Sequence, residues 1–205
     1  MTFKDLPKLL PLYAAQGTIL LPRAQLPLLV EREEDKVTID YALQEGRRFL
    51  GVLQENPSGG HFQKGCVGRI TNFQEGPRFF IMVEGICRFT IERVIEEAIF
   101  KAQVNYLGYE KDLESSTSDP LVNRPRLLGL LRDYLQDQEI AANWEEIDHA
   151  SDDTILNSLT MACPFAPLEK QALLETPSLS ERCDIIIALM EMGHFPFQGP
   201  RPVLH

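Results

Sequence analysis

The chain has 205 residues and a formal net charge of −10, with 44% hydrophobic and 24% charged residues. That composition is ordinary for a globular protein of one or two domains. The negative charge argues against a nucleic-acid partner, whose affinity rests on neutralising phosphates with Lys and Arg, and against docking on anionic lipid. Lys4, Asp5, Pro7, Lys8 and Pro11 interrupt any signal-peptide core. The apolar run 17–30 holds Pro22, Arg23 and Pro27 and is too short to span a bilayer. A cytoplasmic protein is expected.

The N-terminal half reads as strands. Leu9 to Tyr13, Gly17 to Pro22 and Leu26 to Val30 are short apolar runs, and their prolines place them at sheet edges or bulges. Residues 31–36 are charged and solvated. Val37 to Leu43 predicts one or two helical turns with Val37, Tyr41 and Leu43 inward, ended by Gly46. Arg48 to Gln54 reads as a strand. Residues 56–65 form a glycine-rich loop without the Gly-Lys-Ser/Thr ending of a phosphate cradle, with His61 and Phe62 at its tip.

Residues 65–94 are the organising stretch and predict three consecutive antiparallel strands. A turn is expected at Glu75-Gly76-Pro77, because Gly accepts positive φ and Pro fixes its own. Phe79, Ile81 and Val83 then alternate with Phe80, Met82 and Glu84, which is the period of a strand. The first set suits an enclosed interior, which turns Phe80 and Met82 outward. Ile99 to Tyr106 alternates again, with Phe100, Ala102, Val104 and Tyr106 on one face.

After a polar stretch, the period changes to that of helices. Leu127, Leu128, Leu130, Leu131, Tyr134 and Leu135 mark one helix over 125–140, with Trp144 packed beside it. Ser151 caps a second that runs to Ala162, with Ile155, Leu156 and Leu159 inward. Pro167 opens a third that reaches Glu175, with Leu168, Ala172 and Leu173 or Leu174 inward. Ser178 and Glu181 form a capping box for the last. Leu179, Cys183, Ile186, Ile187 and Met190 give that helix one apolar stripe, and Gly193 is its expected C-cap. The fold class is α+β: residues 1–112 form an antiparallel six-stranded domain, 113–119 a linker, 120–195 a small helical bundle and 196–205 an extended tail.

Catalytic chemistry is not visible. There is no G-x-S-x-G, and His61, His149, His194 and His205 are scattered. Cys66, Cys87, Cys163 and Cys183 show no CxxC pair and no metal-ligand spacing, so they read as small buried hydrophobes in a reducing compartment. Residues 145–149 read as a solvated helix end rather than a metal site.

Several segments together carry a resemblance. They are Gly17-Thr18-Ile19-Leu20-Leu21-Pro22 with Leu26-Pro27-Leu28, then Gly65-Cys66-Val67-Gly68-Arg69-Ile70 and Gly85-Ile86-Cys87-Arg88-Phe89. In the helical part they are Asn157-Ser158-Leu159, Pro164-Phe165, the run Glu169 to Glu175, and Glu181-Arg182. In this order, over residues 9–192, the chain resembles the N-terminal domain of the Lon protease in its stand-alone bacterial form. The resemblance implies a six-stranded pseudo-barrel of the PUA-like type followed by a helical bundle. In full-length Lon an ATPase and a Ser-Lys peptidase domain follow. This chain has no Walker A motif and ends before either, so no ATP hydrolysis, no peptide cleavage and no cofactor are expected. In place of the family's aromatic and Pro-Arg-Tyr segment stand Val30 to Asp35, which implies a shifted or shortened helix.

The expected function is therefore recognition of exposed hydrophobic or unfolded polypeptide segments, alongside a resident Lon protease. Phe80, Met82, His61 and Phe62 are the candidate binding residues. The rivals are a self-assembling or adaptor protein that dimerises through a sheet edge and an enzyme with a site across the two domains. RNA binding rests on analogy of fold alone.

Overall fold

The computed structural model describes residues 3–44, 46, 48–74, 79–96, 99–114, 123–137 and 140–192. The expected turn at Glu75-Gly76-Pro77, most of the 113–119 linker, the Gly193 cap and the tail lie outside these residues. The chain divides into two compact units, Met1–Ser116 and Thr117–His205.

The first unit holds six strands: β1 (Leu9–Ala15), β2 (Gln25–Val30), β3 (Phe49–Gln54), β4 (Lys64–Gln74), β5 (Phe79–Glu96) and β6 (Phe100–Asn105). They pair in the order β2-β5-β4-β3-β1-β6, and β6 pairs again with β5. The pairing circuit thus returns to β5, and β2 hangs from it. The sheet is mostly antiparallel. The exception is β1 with β3, which run parallel, against the all-antiparallel expectation. A parallel pair needs a crossover, and helix α1 (Glu33–Gln44) lies within it, packed on β1 and β3.

Two of the three strands expected over residues 65–94 are one. β5 runs 18 residues without a break, because it changes partners instead of turning back. Its first part pairs with β2 and β4, and its second with β4 and β6. The change falls at Gly85, where a Cβ would lie 2.0 Å from the Leu21 carbonyl oxygen. Only glycine lets the two backbones approach so closely. The Arg23 N–H donates to the Gly85 oxygen at 2.8 Å, and the Gly85 N–H to that of Ala24 at 2.8 Å. Residues 17–22, expected as a strand, are therefore held without forming one. Ile19, Leu20 and Leu21 are nonetheless fully buried.

A bulge follows at once: Gly68 opposes Gly85, whereas Val67 opposes Cys87, which leaves Ile86 unmatched. The extra residue reverses which alternate side chains face which way. Cys87, Phe89 and Ile91 pack with Leu10, Leu12, Phe49, Leu53 and Val67. Phe89 lies over Gly51 and Gly65, whose missing side chains make its room. Ile81 and Val83 are equally buried, but on the opposite side of the sheet, where Val83 opposes Ile70 and both oppose β2 through Leu26 and Leu28. Ile81 and Val83 face an interior as expected, whereas Phe79, expected with them, is half-buried.

Helix α1 is longer than expected, and it begins in the charged stretch read as solvated. Its inward residues are Thr38, Ile39 and Ala42, whereas Val37 is 51% exposed. Arg32 fixes its start: Nε donates to Asp35 at 2.6 Å, and the terminal nitrogens to Glu55 at 3.1 Å and the Ala14 carbonyl at 3.3 Å.

Among the described residues of this unit, Arg88 and Asp112 form a buried ion pair. The Arg88 guanidinium donates to both oxygens of Asp112, at 3.0 and 2.8 Å, and its backbone N–H donates to the same carboxylate at 2.9 Å. Arg88 is only 4% exposed and lies 4.8 Å from the Tyr109 ring centre. Burial opposes the charge, but the hydrogen bonds and attraction of Asp112 more than offset it, so the Arg88 pKa rises. This pair holds the 3-10 turn Glu110–Leu113 against β5.

The second unit contains α2 (Arg124–Asp137), α3 (Trp144–His149), α4 (Asp152–Ala162), α5 (Pro167–Glu175) and α6 (Leu179–Glu191). Leu127, Leu131, Leu156, Leu173, Ile186 and their neighbours form its core. Ser151 and Ser178 cap α4 and α6 as expected, each accepting from the N–H three residues on. In α5 the expected inward pair is wrong. Leu168 is 66% exposed and Ala172 is exposed, while Lys170, Gln171, Leu173 and Leu174 are buried. Lys170 tolerates burial because its ammonium donates to the Met161 carbonyl at 3.0 Å. Arg182 donates to the Leu173 carbonyl at 3.1 Å and to Asn157 Oδ1 at 3.0 Å. Glu169 accepts from the Ala166 N–H at 2.7 Å. The segments that carried the resemblance here are thus the interior hydrogen bonds of α4, α5 and α6.

All four cysteines are free and buried. Burial pushes Cys87 and Cys163 up to about 12, Cys183 up to about 11 and Cys66 well above its usual value. The folded thiols keep their protons where unfolded ones, near 9.0, lose them. Their contribution to stability is intact below about pH 9 and is lost as pH rises toward 12. We expect stability to fall over that range in pH-dependent denaturation, and iodoacetamide to label the chain only as it unfolds. Asp112→Ala leaves Arg88 charged and alone, and should cost about 3–5 kcal/mol in chemical denaturation. Gly85→Ala forces backbone apart and should cost about 3 kcal/mol or more by the same measurement.

Candidate functional site

Directly opposed residues of an antiparallel pair share a face. On β5, Phe80, Met82 and Glu84 alternate on one face. β2 places Leu29, Pro27 and Gln25 opposite them, in that order. β4 places Gln74, Asn72 and Arg69 opposite them on the other side. The burial of β2 alternates strictly, with Leu26, Leu28 and Val30 in the core and Gln25, Pro27 and Leu29 exposed. The result is an outward face with an apolar centre, Pro27, Leu29, Phe80 and Met82, bordered by Gln25, Asn72, Gln74, Glu84 and Arg69.

Phe80 and Met82 are half-buried on this face, and Leu29, at 39% exposed, is more open than either. Pro27 and Leu29 were legible as outward from the alternation of the Leu26-Pro27-Leu28 run, once that strand was paired with β5. The reverse of the same ribbon is filled by Leu26, Leu28, Ile81 and Val83, all buried.

The structure does not bring His61 and Phe62 to this face. The loop folds back on itself: the Asn56 N–H donates to the Gly60 carbonyl and that of Gly59 to Asn56, both at 2.9 Å. Glu55 bridges His61, and the Phe62 N–H donates to the Gln54 carbonyl at 3.1 Å. The His61 ring lies 5.0 Å from that of Phe100. Both residues are half-buried just before β4 begins, whereas Phe80 opposes Gln74 at the end of β4. Ten strand residues at about 3.3 Å each separate them by roughly 30 Å.

The arrangement offers contact surface rather than reactive groups. Among the described residues no group of three or more His, Cys, Asp or Glu is placed to hold a metal ion. Among those same residues no helix is long and apolar enough to cross a membrane. Two arginines lie on aromatic rings beside the face. The Arg69 guanidinium carbon is 5.4 Å from the Phe49 ring centre, and that of Arg48 is 5.7 Å from the Phe73 centre.

Comparison with known proteins agrees with the fold and the motif order. The N-terminal domain of a Lon protease from the Mycobacterium avium complex superposes with a TM-score of 0.67 at 21% identity, covering 90% of this chain and 98% of that one. A Lon N-terminal domain protein from Xanthomonas campestris superposes with a TM-score of 0.63 at 18% identity, covering 92% and 99%. In sequence, the chain is 25% identical over 199 residues to Lon protease 2 of Myxococcus xanthus and 26% identical over 188 residues to the Lon protease of Malacoplasma penetrans. It spans about 24% of the length of each of these two relatives. The family model of the substrate-binding domain of ATP-dependent protease La (Lon) matches residues 9–192. With nearly the whole chain matched by that model, this protein belongs to the Lon substrate-binding domain family.

Proposed function

We propose that the first unit is a non-catalytic recognition module for exposed hydrophobic or partly unfolded polypeptide segments, and that the face of Pro27, Leu29, Phe80 and Met82 receives them. The observation that carries this reading is a sheet ribbon apolar on both sides. One side is filled by the core, and the other presents proline, leucine, phenylalanine and methionine outward. Apolar area removed from water contributes about 25 cal/mol per Å², and a flexible methionine beside an aromatic ring suits clients of varied shape. The family's description as a substrate-binding domain supports the same class of ligand.

In this reading the protein works by binding, in a reducing cytoplasm where its buried cysteines stay thiols, and it hands clients to a resident Lon protease. The rival reading, a homodimer through a sheet edge, is disfavoured at β2. That edge strand carries Pro27 at its middle, and proline has no N–H to give an incoming strand.

The test is binding of a fluorescently labelled, reduced and alkylated polypeptide, followed by anisotropy. Leu29→Ser with Met82→Ser removes two apolar contacts of about 1.5 kcal/mol or more each. We expect affinity to fall by more than tenfold while circular dichroism is unchanged. Equal affinity in the variant would remove this face from the mechanism.

A further inference from the structure

The sheet has a second edge, and it lacks the protection that β2 carries. On one side β4 pairs with β5 along its whole length, from Lys64 to Gln74. On its other side it pairs with β3 only from Cys66 to Arg69, with one more bond from the Ile70 N–H to the Arg48 carbonyl at 2.9 Å. β3 cannot continue further, because the chain before it turns away. Gly46 has φ 69° and Arg48 has φ 55°, left-handed values that no strand uses. Thr71, Asn72, Phe73 and Gln74 therefore keep strand backbone with β5 on one side and, among the described residues, no strand on the other. All four are exposed. None is proline and none is charged; the one irregularity is a bulge at Thr71, unmatched between Ile70 opposite Val83 and Asn72 opposite Met82, so Asn72 to Gln74 carry no blunting residue.

The charges beside this edge select a partner. Arg48 lies over Phe73, and Arg69, the last β4 residue in register with β3, lies over Phe49. Among the described residues neither guanidinium forms an ion pair, although Glu84 stands directly across from Arg69. In a chain of net charge −10, two cations that form no ion pair among the described residues flank four residues of open strand.

We propose that this edge is a strand-addition site for an extended polypeptide segment that carries a carboxylate side chain beside apolar residues. The proposal rests on the recognition reading above and specifies its ligand. The segment lies antiparallel to residues 71–74, in the lane that β3 leaves empty, and exchanges backbone hydrogen bonds with them. Its acidic side chain meets Arg48 or Arg69 as a charge-assisted contact. Its alternate side chains fall beside Asn72 and Gln74, one strand away from Met82 and Phe80. Backbone pairing supplies affinity that tolerates many sequences, the apolar face rewards hydrophobic ones, and the arginines reject basic ones.

The experiment changes the peptide first, so that folding of the protein is not in question. A labelled octapeptide of alternating Val and Glu is titrated against the full chain by anisotropy. It is compared with the same peptide N-methylated at alternate amides and with its Glu→Lys version. We expect N-methylation and the lysine exchange each to weaken binding at least tenfold. Arg48→Glu with Arg69→Glu should reverse the charge preference and favour the lysine peptide. Amide hydrogen exchange should slow at residues 71–74 in the complex. If the N-methylated peptide binds as tightly as its parent, the edge is not used and this inference fails while the recognition reading stands. If the alternating peptides do not bind but the unfolded polypeptide does, strand addition fails and the apolar face is sufficient. If none of them binds, the recognition reading itself is wrong.

Discussion

Strand β5 must satisfy three neighbours with one backbone, and the first unit is arranged around that requirement. β2, β4 and β6 all take hydrogen bonds from it. A strand has only two edges, so one edge must pass from one partner to the next. The passage is made at Gly85, where the Leu21 carbonyl comes too close for any side chain, and at the unmatched residue Ile86. The bulge bends the strand and reverses its faces. Two cores follow from it, one around Phe89 and one around Ile81 and Val83, on opposite sides of the same sheet. The outward position of Phe80 and Met82 follows too, since they alternate with the second of these sets.

Buried charge has the same part in both units. Arg88 with Asp112, and Arg182 with Asn157, are too enclosed to be justified by their attraction alone. Desolvation of such groups offsets most of the Coulombic gain. What they impose is partner identity: a carboxylate or an amide oxygen must stand at one place, or the charge is stranded. The short segments around Arg88, Asn157, Lys170 and Arg182 are among those that carry the family resemblance. Apolar core positions exchange among Leu, Ile and Val with modest cost, whereas removing one partner of a buried charge strands the other.

The two edges of the sheet are managed in opposite ways. β2 is blunted by a proline in an otherwise regular strand. The end of β4 is left open by backbone at Gly46 and Arg48 that ends β3 early. An isolated protein gains nothing from an open, uncharged strand end, which invites pairing with other chains. Its position next to the apolar face of β5 makes the two features one surface.

Local patterns were readable wherever a single element decides them. The alternation of β2, the serine caps of α4 and α6, the proline opening α5 and the apolar stripe of α6 were all legible, because side-chain period and cap chemistry act within a few residues. So was the outward turn of Phe80 and Met82. The sequence alone did not determine which strand pairs with which. It missed the parallel pairing of β1 with β3, the union of two expected strands into β5, and the burial of Ile19, Leu20 and Leu21 without strand pairing. Nor could it place His61 and Phe62 at the opposite end of β4 from Phe80. Periodicity reports how a residue divides core from solvent, not what lies across from it. In α5, Leu168 faces out and Lys170 faces in because a carbonyl of α4 waits for the ammonium. That acceptor comes from another helix, and only the assembled unit supplies it.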